Sequence, residues 1–255
     1  MKLYQDIPRS RYIALSAVSF FLFFMVWSLM SLTMKSAHIF LPGPWAVVEF
    51  LIALFREHYF VRDIIASVWR VTVGFVIAVV VAFPLGLLAG TSKPFDAIVQ
   101  PFNDFLRYMP VAAFIPLTIL WIGIGDAQKM LIIFLGTVFQ LVPLIADTAS
   151  RVPKHLVELG YTTGASSWGV LRRVVVPWSL PTIYDHCRVA LGWAWSYLIV
   201  AELVAANVGI GHVIIQSQRF IRTGDVIAGI LVIGMIGMAF DQAFKLPKSR
   251  IFRWL

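Results

Sequence analysis

The sequence has few charged residues for its length. Only 13% of its 255 residues are Asp, Glu, Lys or Arg, against roughly 25% in an ordinary soluble domain. Hydrophobic residues make up 60%, including nine Trp and twenty Phe, and the mean hydropathy is +0.84. One core in a chain of this size cannot bury that much apolar surface. A water-soluble globule is therefore excluded, and the surplus apolar surface is expected to face lipid.

The sequence also lacks the residue patterns of catalysis and metal binding. Cys187 is its single cysteine, which excludes an internal disulfide framework and a multi-thiolate metal site. The five histidines show no H-E-x-x-H spacing, and there is neither a G-x-x-x-x-G-K-[ST] phosphate loop nor a Gly-Lys dipeptide. We therefore expect no catalytic residue, metal site or cofactor in this chain, so any energy input must come from a partner.

What the sequence has instead is a series of long apolar runs. A helix needs about 20 such residues to cross a bilayer. The pattern predicts an all-α, polytopic membrane protein that forms a single transmembrane domain over residues 1–255. About six spans are expected, with a segment at 34–60 that lies at the outer interface and a long polar loop at 149–181. The spans are placed near 12–33, 62–91, 108–125, 128–148, 182–208 and 225–244.

Proline and glycine interrupt several of these runs. Each intramembrane proline removes a backbone hydrogen bond that another group must replace. Glycines in the second and sixth spans would let neighbouring helices approach closely. The prolines are Pro84, Pro110, Pro116 and Pro143, and the glycines are Gly74, Gly86, Gly90, Gly229, Gly234 and Gly237.

The basic residues predict the orientation of the spans. With the N-terminus inside, thirteen Lys and Arg fall on the cytoplasmic side, in 1–11, 92–107, 149–180 and 242–255, and six fall outside. The positive-inside rule favours this arrangement, with both termini cytoplasmic. The net charge of +8 is then explained by topology, and no nucleic-acid partner is expected.

The polar loop at 149–181 has the pattern of a short helix, a break and a second helix. Residues 155–161 can form the first helix, Gly164 can end it in a left-handed conformation, and Ser166 or Ser167 can cap the second. Pro177 and Pro181 are expected to stop that second segment before the chain re-enters the membrane. Arg172 and Arg173 flank these two helices, which have a form that could insert into a groove of another protein.

The residues of this loop resemble a known family. Glu158, followed by Gly164 six positions later and a VVVPWSLP stretch ending at Pro181, is similar to the "EAA" loop of ABC importer permeases. The chain departs from that pattern at Leu159 and Gly160, where the family has alanines. The stretches SVWRVTVG, RYMPVAAFIP, WIGIGD and GWAWSYLIVAELVAANVGIG resemble the nitrate/sulfonate/bicarbonate/taurine branch.

The resemblance implies a type I importer bundle and a defined set of partners. These are a second permease copy, two cytoplasmic ATPases that bind ATP and Mg²⁺, and an extracytoplasmic solute-binding protein, all at a bacterial inner membrane. The expected solute is a small anion, taurine or an alkanesulfonate first and nitrate or bicarbonate next. The loop that contacts the ATPase would include Glu158, Leu159, Gly160, Gly164, Ala165, Arg172, Pro177 and Pro181.

Charged residues inside apolar runs are the candidates for a transport pathway. Glu202 lies deep in the fifth span, where an unpaired carboxylate costs at least a few kcal/mol. It either gates the pathway or makes a structural hydrogen bond to another helix or to Asn207. Arg70 and Arg188 either attract an anion or form ion pairs, Arg188 with Asp185 three residues before it. Trp193 and Ser196 either face the pathway or pack against other helices.

These observations predict the permease subunit of an ATP-driven importer, in which the chain itself breaks no bond. The alternative is an ATP-independent channel or secondary carrier, with the 149–181 loop as a passive linker.

Overall fold

A computed structural model of the chain describes residues 7–33, 37–56 and 58–252. These ranges contain helices and no strands. The α-helices are α1 (Arg9–Thr33), α2 (Ala37–Phe40), α3 (Pro44–Arg56), α4 (His58–Thr91), α5 (Lys93–Arg107), α6 (Ile115–Ile122), α7 (Asp126–Ser150), α8 (Lys154–Thr162), α9 (Ser167–Val170), α10 (Val176–Ala205), α11 (Ile210–Arg219) and α12 (Thr223–Ile251). A 3₁₀ turn, Val111–Phe114, precedes α6, and a π-helical turn, Leu171–Val175, joins α9 to α10.

Five helical stretches in the described ranges are long and apolar enough to cross a membrane. They are Arg9–Thr33, Tyr59–Thr91, Asp126–Ser150, Ser167–Val204 and Thr223–Ile251. A sixth crossing is available if Lys93–Arg107 and Val111–Ile122, which meet at an angle of 87°, are counted as one broken span. The predicted all-α membrane fold is confirmed.

The described residues divide into two compact units. The first comprises the chain up to His58 together with Val213–Leu231. In this unit, Trp27 Nε1 donates a hydrogen bond of 3.1 Å to Pro42 O, which ties α1 to the turn before α3. Trp27 is the one buried residue of α1, so the rest of this apolar helix is open to lipid.

The second unit comprises Tyr59–His212 and Val232–Leu255. Its core is formed mainly by α4, α7 and α10. Three glycines of α4, Gly74, Gly86 and Gly90, let α7 approach closely, as expected. A Cβ added to Gly74 would lie 2.9 Å from Ile133 Cβ, and one added to Gly86 would lie 2.6 Å from Ile145 Cβ. On α12, by contrast, a Cβ added to Gly234 or Gly237 would meet nothing within 4 Å.

The backbone acceptor freed by Pro143 has a replacement donor. Pro143 has no N–H, so the carbonyl of Phe139 one turn earlier loses its helical partner. The side chain of Asn103 on α5 donates a hydrogen bond of 3.0 Å to Phe139 O. Since Asn103 is 3% exposed, this bond fixes the middle of α7 against α5.

The third span differs from the prediction. The expected continuous helix over 108–125 is wrong, because α6 has only eight residues and follows a sharp bend at residues 108–110. The Asn103 contact brings α5 to the middle of α7 rather than leaving it in a cytoplasmic loop. Lys93, Asp96, Asp104 and Arg107 interrupt the apolar pattern of α5, so α5 does not form the charge-free run that marks the other spans.

Pro177 and Pro181 do not end the segment before α10, so that prediction was also wrong. Helical backbone continues from Ser167 through the π-helical turn into α10. Pro177 directly follows the π-helical turn, near the start of α10, and Pro181 is buried inside α10.

Candidate functional site

The first part of the 149–181 segment, residues 154–170, folds as the local sequence predicts. α8 ends at Thr162, and Gly164 follows with φ of +81°, a left-handed conformation that favours glycine. The Ser166 hydroxyl then accepts a hydrogen bond of 3.2 Å from the Gly169 N–H and caps α9. The two short helices are thus joined by a turn fixed by its own residues.

This turn presents apolar side chains to solvent. Leu159 is 60% exposed and Trp168 is 68% exposed, while Glu158 and Gly164 are also exposed. Gly160 faces the other way, and a Cβ added to it would lie 3.1 Å from Val170 Cγ2. Small size therefore matters at Gly160, whereas Leu159 points outward and enlarges the apolar surface.

The remaining residues predicted for this segment extend the same surface. Arg172 is exposed, while Ala165 and Pro177 are half-buried. A cavity of about 550 Å³ separates α8 and α9 from the ends of α4 and α7, and Glu158, Trp168 and Thr91 are among its lining residues. The segment is therefore open and partly apolar rather than a packed connector, and we refer to residues 149–181 as the candidate docking element, or docking element for short.

A buried polar cluster lies at the other end of the second unit. We call Asp63, Ser67, Arg70, Asp126 and Glu202 the Arg70–Glu202 cluster. Glu202 is completely buried. Its carboxylate accepts hydrogen bonds from Ser67 Oγ at 2.8 Å, from Arg70 Nη1 at 2.7 Å and from the Gly211 N–H at 2.8 Å. The Glu202 carboxylate is therefore paired within the fold and is not an isolated buried charge.

The cluster also holds the connection between α10 and α11. Arg70 forms an ion pair of 2.7 Å with Asp126 and donates a hydrogen bond to Val208 O. The Asp63 carboxylate accepts from the Gly209 N–H, and Ser67 Oγ accepts from the Ile210 N–H. Three helices and the connection at 206–209 therefore share one set of charges. Asn207, which was expected as a partner of Glu202, is exposed.

Asp63, Ser67 and Asp126 were not identified from the sequence. Asp63, Ser67 and Arg70 lie four and three residues apart in an otherwise apolar stretch, so they share one face of a helix. That spacing could have identified Asp63 and Ser67 from the sequence. No sequence pattern could have identified Asp126, because its contact with Arg70 depends on how α4 and α7 pack.

The expected partner of Arg188 was wrong. Arg188 does form an ion pair, but with Asp241 of α12 at 3.3 Å. Asp185 instead pairs with Lys248 at 2.6 Å. Two residues one turn apart on α10 thus pair with two residues about two turns apart on α12. Both ion pairs join different helices, so the three-residue spacing within α10 did not predict them.

The aromatic and hydroxyl residues of α10 are divided between core and surface. Trp193 is half-buried and packs against the core. Ser196 is exposed and donates within its own helix to Gly192 O. Tyr197, one position further, lines a cavity of about 230 Å³ together with Arg107, Tyr108, Gly136 and Gln140.

Comparison with known proteins agrees with this architecture. The family model described as "binding-protein-dependent transport system inner membrane component" matches residues 82–252. A protein from Brucella melitensis, named for an ABC transporter permease, is 33% identical over 84% of this chain and 87% of its own. The taurine transport system permease protein TauC of Escherichia coli is 29% identical over 97% of this chain and 92% of its own.

A solved structure shows the same fold at low sequence identity. It is the bacterial alginate ABC transporter in complex with alginate pentasaccharide-bound periplasmic protein, and the matched chain is 17% identical with a TM-score of 0.65. The match covers 99% of both chains. Together with the family match, these findings establish that the chain belongs to the inner-membrane components of binding-protein-dependent transport systems, as a multi-pass permease subunit of an ABC importer.

Proposed function

We propose that two copies of this chain form the translocation pathway of an ATP-driven importer for a small anionic solute. Taurine or an alkanesulfonate is the first expectation, supported by the similarity to TauC along nearly the whole chain. Nitrate and bicarbonate come next, on the resemblance of the sequence to that branch of permeases. The relevant membrane is a bacterial inner membrane, with both termini on the cytoplasmic side.

The observation that carries the proposal is the exposed docking element at 149–181. Leu159 and Trp168 expose apolar surface beside Glu158, and such a surface marks a contact with another protein. The element is continuous with α10, so a protein that moves it also moves a membrane-spanning helix. An ATPase that closes on nucleotide would in this way drive alternating access.

The partners divide the work of transport in this proposal. Two cytoplasmic ATPase subunits bind ATP and Mg²⁺ and hydrolyse the nucleotide, and an extracytoplasmic protein delivers the solute. This chain contributes the pathway and the docking element, and it breaks no bond.

Purification in mild detergent tests the coupling to an ATPase. A tagged chain expressed with its native neighbours is expected to co-purify with an ATPase subunit, and solute uptake by the cells is expected to stop when ATP is depleted. The alternative, an ATP-independent channel or carrier, predicts uptake that survives ATP depletion and a chain that purifies without an ATPase.

Competition between solutes tests the substrate class. The reconstituted complex is supplied with its binding protein and with taurine, ethanesulfonate, nitrate, bicarbonate or an uncharged sugar in turn. We expect ATP hydrolysis to be stimulated most by one of the two sulfonates. Stimulation by an uncharged sugar alone would contradict the proposed anionic class.

A further inference from the structure

The break between α5 and α6 opens a cavity of about 230 Å³. At about 30 Å³ per water molecule, this volume holds roughly seven waters or one small organic anion. Its walls come from the end of α5, the bend at residues 108–110, the middle of α7 and one turn of α10. Arg107 is the one charged residue among the described residues that line it.

The cavity lies at the level of the middle of a membrane-spanning helix. α7 has 25 residues and is therefore about 37 Å long, enough to cross the hydrocarbon. Leu135, Gly136, Phe139 and Gln140, which line the cavity, lie near its centre. Non-helical backbone at such a depth is tolerated where it faces protein or a water-filled space, which fits the bend at residues 108–110.

Arg107 is held at the cavity by residues of its own segment. Its Nε lies 3.1 Å from Asp104 Oδ1 in an ion pair, its Nη2 donates a hydrogen bond of 3.3 Å to the Tyr108 hydroxyl, and its guanidinium carbon lies 5.0 Å from the centre of the Tyr108 ring. The buried Nε–H faces Asp104 without good hydrogen-bond geometry. A charged side chain inside a membrane is costly unless it is paired or has a function, and an anionic ligand in the cavity would compete with Asp104 for this guanidinium.

The other polar groups of the cavity suit a small oxyanion. Tyr108, Gln140 and Tyr197 also line the cavity, and the hydroxyl or amide of each can donate to an acceptor oxygen. A Cβ on Gly136 would overlap the Tyr197 ring, so this glycine lets the phenol lie against α7. A guanidinium surrounded by neutral hydrogen-bond donors can bind the oxygens of a sulfonate or carboxylate group.

We propose that this cavity is a contact site for the solute in transit, in which Arg107 binds its oxyanion group. The proposal rests on the proposed function for the identity of the solute, and it deepens that function by placing a solute contact on this chain. The Arg70–Glu202 cluster does not compete for this role, because its five charged and polar groups are already bonded to one another and to backbone.

Charge-selective labelling tests the cavity without any transport assay. Gln140→Cys, in a Cys187→Ala background, places one thiol on α7, across the cavity from Arg107 in α5. The full chain in detergent is treated with anionic sulfonatoethyl methanethiosulfonate or with its cationic trimethylammonioethyl counterpart. We expect the anionic reagent to be favoured by roughly tenfold, the scale at which a charged cleft concentrates counter-ions.

Two further variants separate a charge effect from simple access. Arg107→Gln should abolish the preference for the anionic reagent, while Arg107→Lys should keep most of it, and millimolar ethanesulfonate should slow labelling only where the preference is present. Any change in the reactivity of the thiol itself cancels in the ratio of the two rates. Phe21→Cys, on the lipid-exposed α1, serves as an unreactive control.

The outcomes distinguish the site from the proposed function. Equal labelling by both reagents with and without Arg107, or a thiol at position 140 as unreactive as the one at position 21, would overturn the site. In the reconstituted complex, Arg107→Gln should lower sulfonate uptake while ATP hydrolysis stimulated by the binding protein is retained. Charge-selective labelling in a wild-type complex that transports no oxyanion would support the site and contradict the proposed function.

Discussion

At the scale of single residues, burial determines which charges the fold requires. Glu202 and Arg70 are both buried and bonded on several sides, whereas Arg151 and Asp147 form an ion pair on an exposed surface. A buried carboxylate that loses its charge leaves its cationic partner incompletely paired, and this is costly. An exposed pair contributes little by comparison.

We therefore expect Glu202→Gln to lower the free energy of unfolding by about 3 kcal/mol. Thermal unfolding of the purified chain in detergent measures the change, with Glu49→Gln on the exposed side of α3 as the control. Replacing both partners, as in Arg70→Met with Glu202→Leu, should cost less than the sum of the two single variants. A fully stable Glu202→Gln protein would show that the cluster does not hold the fold.

Gly136 allows a second test at this scale. Gly136→Ala would place a methyl group where the Tyr197 ring lies, so we expect the variant to displace the phenol and slow solute uptake. Tyr197→Ser removes the ring. The double variant with Gly136→Ala and Tyr197→Ser should therefore take up solute as fast as Tyr197→Ser alone. Independent, additive effects in the double variant would contradict a direct contact.

At the scale of helices and turns, the sequence predicts local features better than packing. The left-handed Gly164 and the Ser166 cap depend on residues within a few positions of one another, so they could be predicted. The contacts of Asp126 with Arg70, of Arg188 with Asp241 and of Asn103 with Phe139 join distant helices, and no local spacing contains them. The span formed by α5 and α6 was missed because α5 carries four charged residues and the chain bends sharply between the two helices.

Substitutions at Gly164 test whether the turn requires a left-handed backbone conformation rather than a small side chain. A Cβ added to Gly164 meets nothing within 4 Å, but its φ of +81° disfavours most side chains. Gly164→Val should cost about 1–2 kcal/mol locally and uncouple ATP hydrolysis from uptake without preventing membrane insertion. Gly164→Asn tolerates this conformation better and should retain coupling. Equal losses in both variants would show that the backbone conformation is not the cause.

Close packing of α4 on α7 gives a prediction for whole helices. Gly86→Ala should destabilise the purified chain, since the new Cβ would lie 2.6 Å from Ile145 Cβ and 2.8 Å from Val142 O. Gly237→Ala on α12, with open space around it, is the matched control and should be neutral or slightly stabilising because alanine favours helix. The difference in unfolding temperature between the two variants tests the packing, and equal temperatures would contradict it.

At the scale of the whole molecule, the contacts within the second unit show which residues lie together at each of its two ends. Asp126, Gly209 and Asp63 meet at one end through the Arg70–Glu202 cluster, and α4 and α7 carry the chain from there to the docking element at the other end. Six crossings require the α5–α6 pair to count as one. The family assignment could be predicted from the loop residues, whereas the broken third crossing could not.

Accessibility of single cysteines tests this arrangement in intact cells. In a Cys187→Ala background, Asn207→Cys should react with a membrane-impermeant thiol reagent added outside, because Asn207 is exposed at the end that carries the cluster. Thr163→Cys, exposed in the docking element, should react only after the membrane is opened. The reverse pattern would invert the proposed orientation.

The unbroken helical path from Ser167 to Val204 makes the docking element one end of a lever. Trp168 and Glu202 are 34 positions apart on this path and therefore roughly 50 Å apart. If the rod pivots near its middle, a tilt of about 10° moves each end by roughly 4 Å, and in opposite directions. In the proposed orientation and pairing of two copies, a force that draws the docking elements of both copies together would spread the opposite ends of these helices. The hydrogen bond that the Gly211 N–H donates to Glu202 would then carry the 206–209 connection along with them.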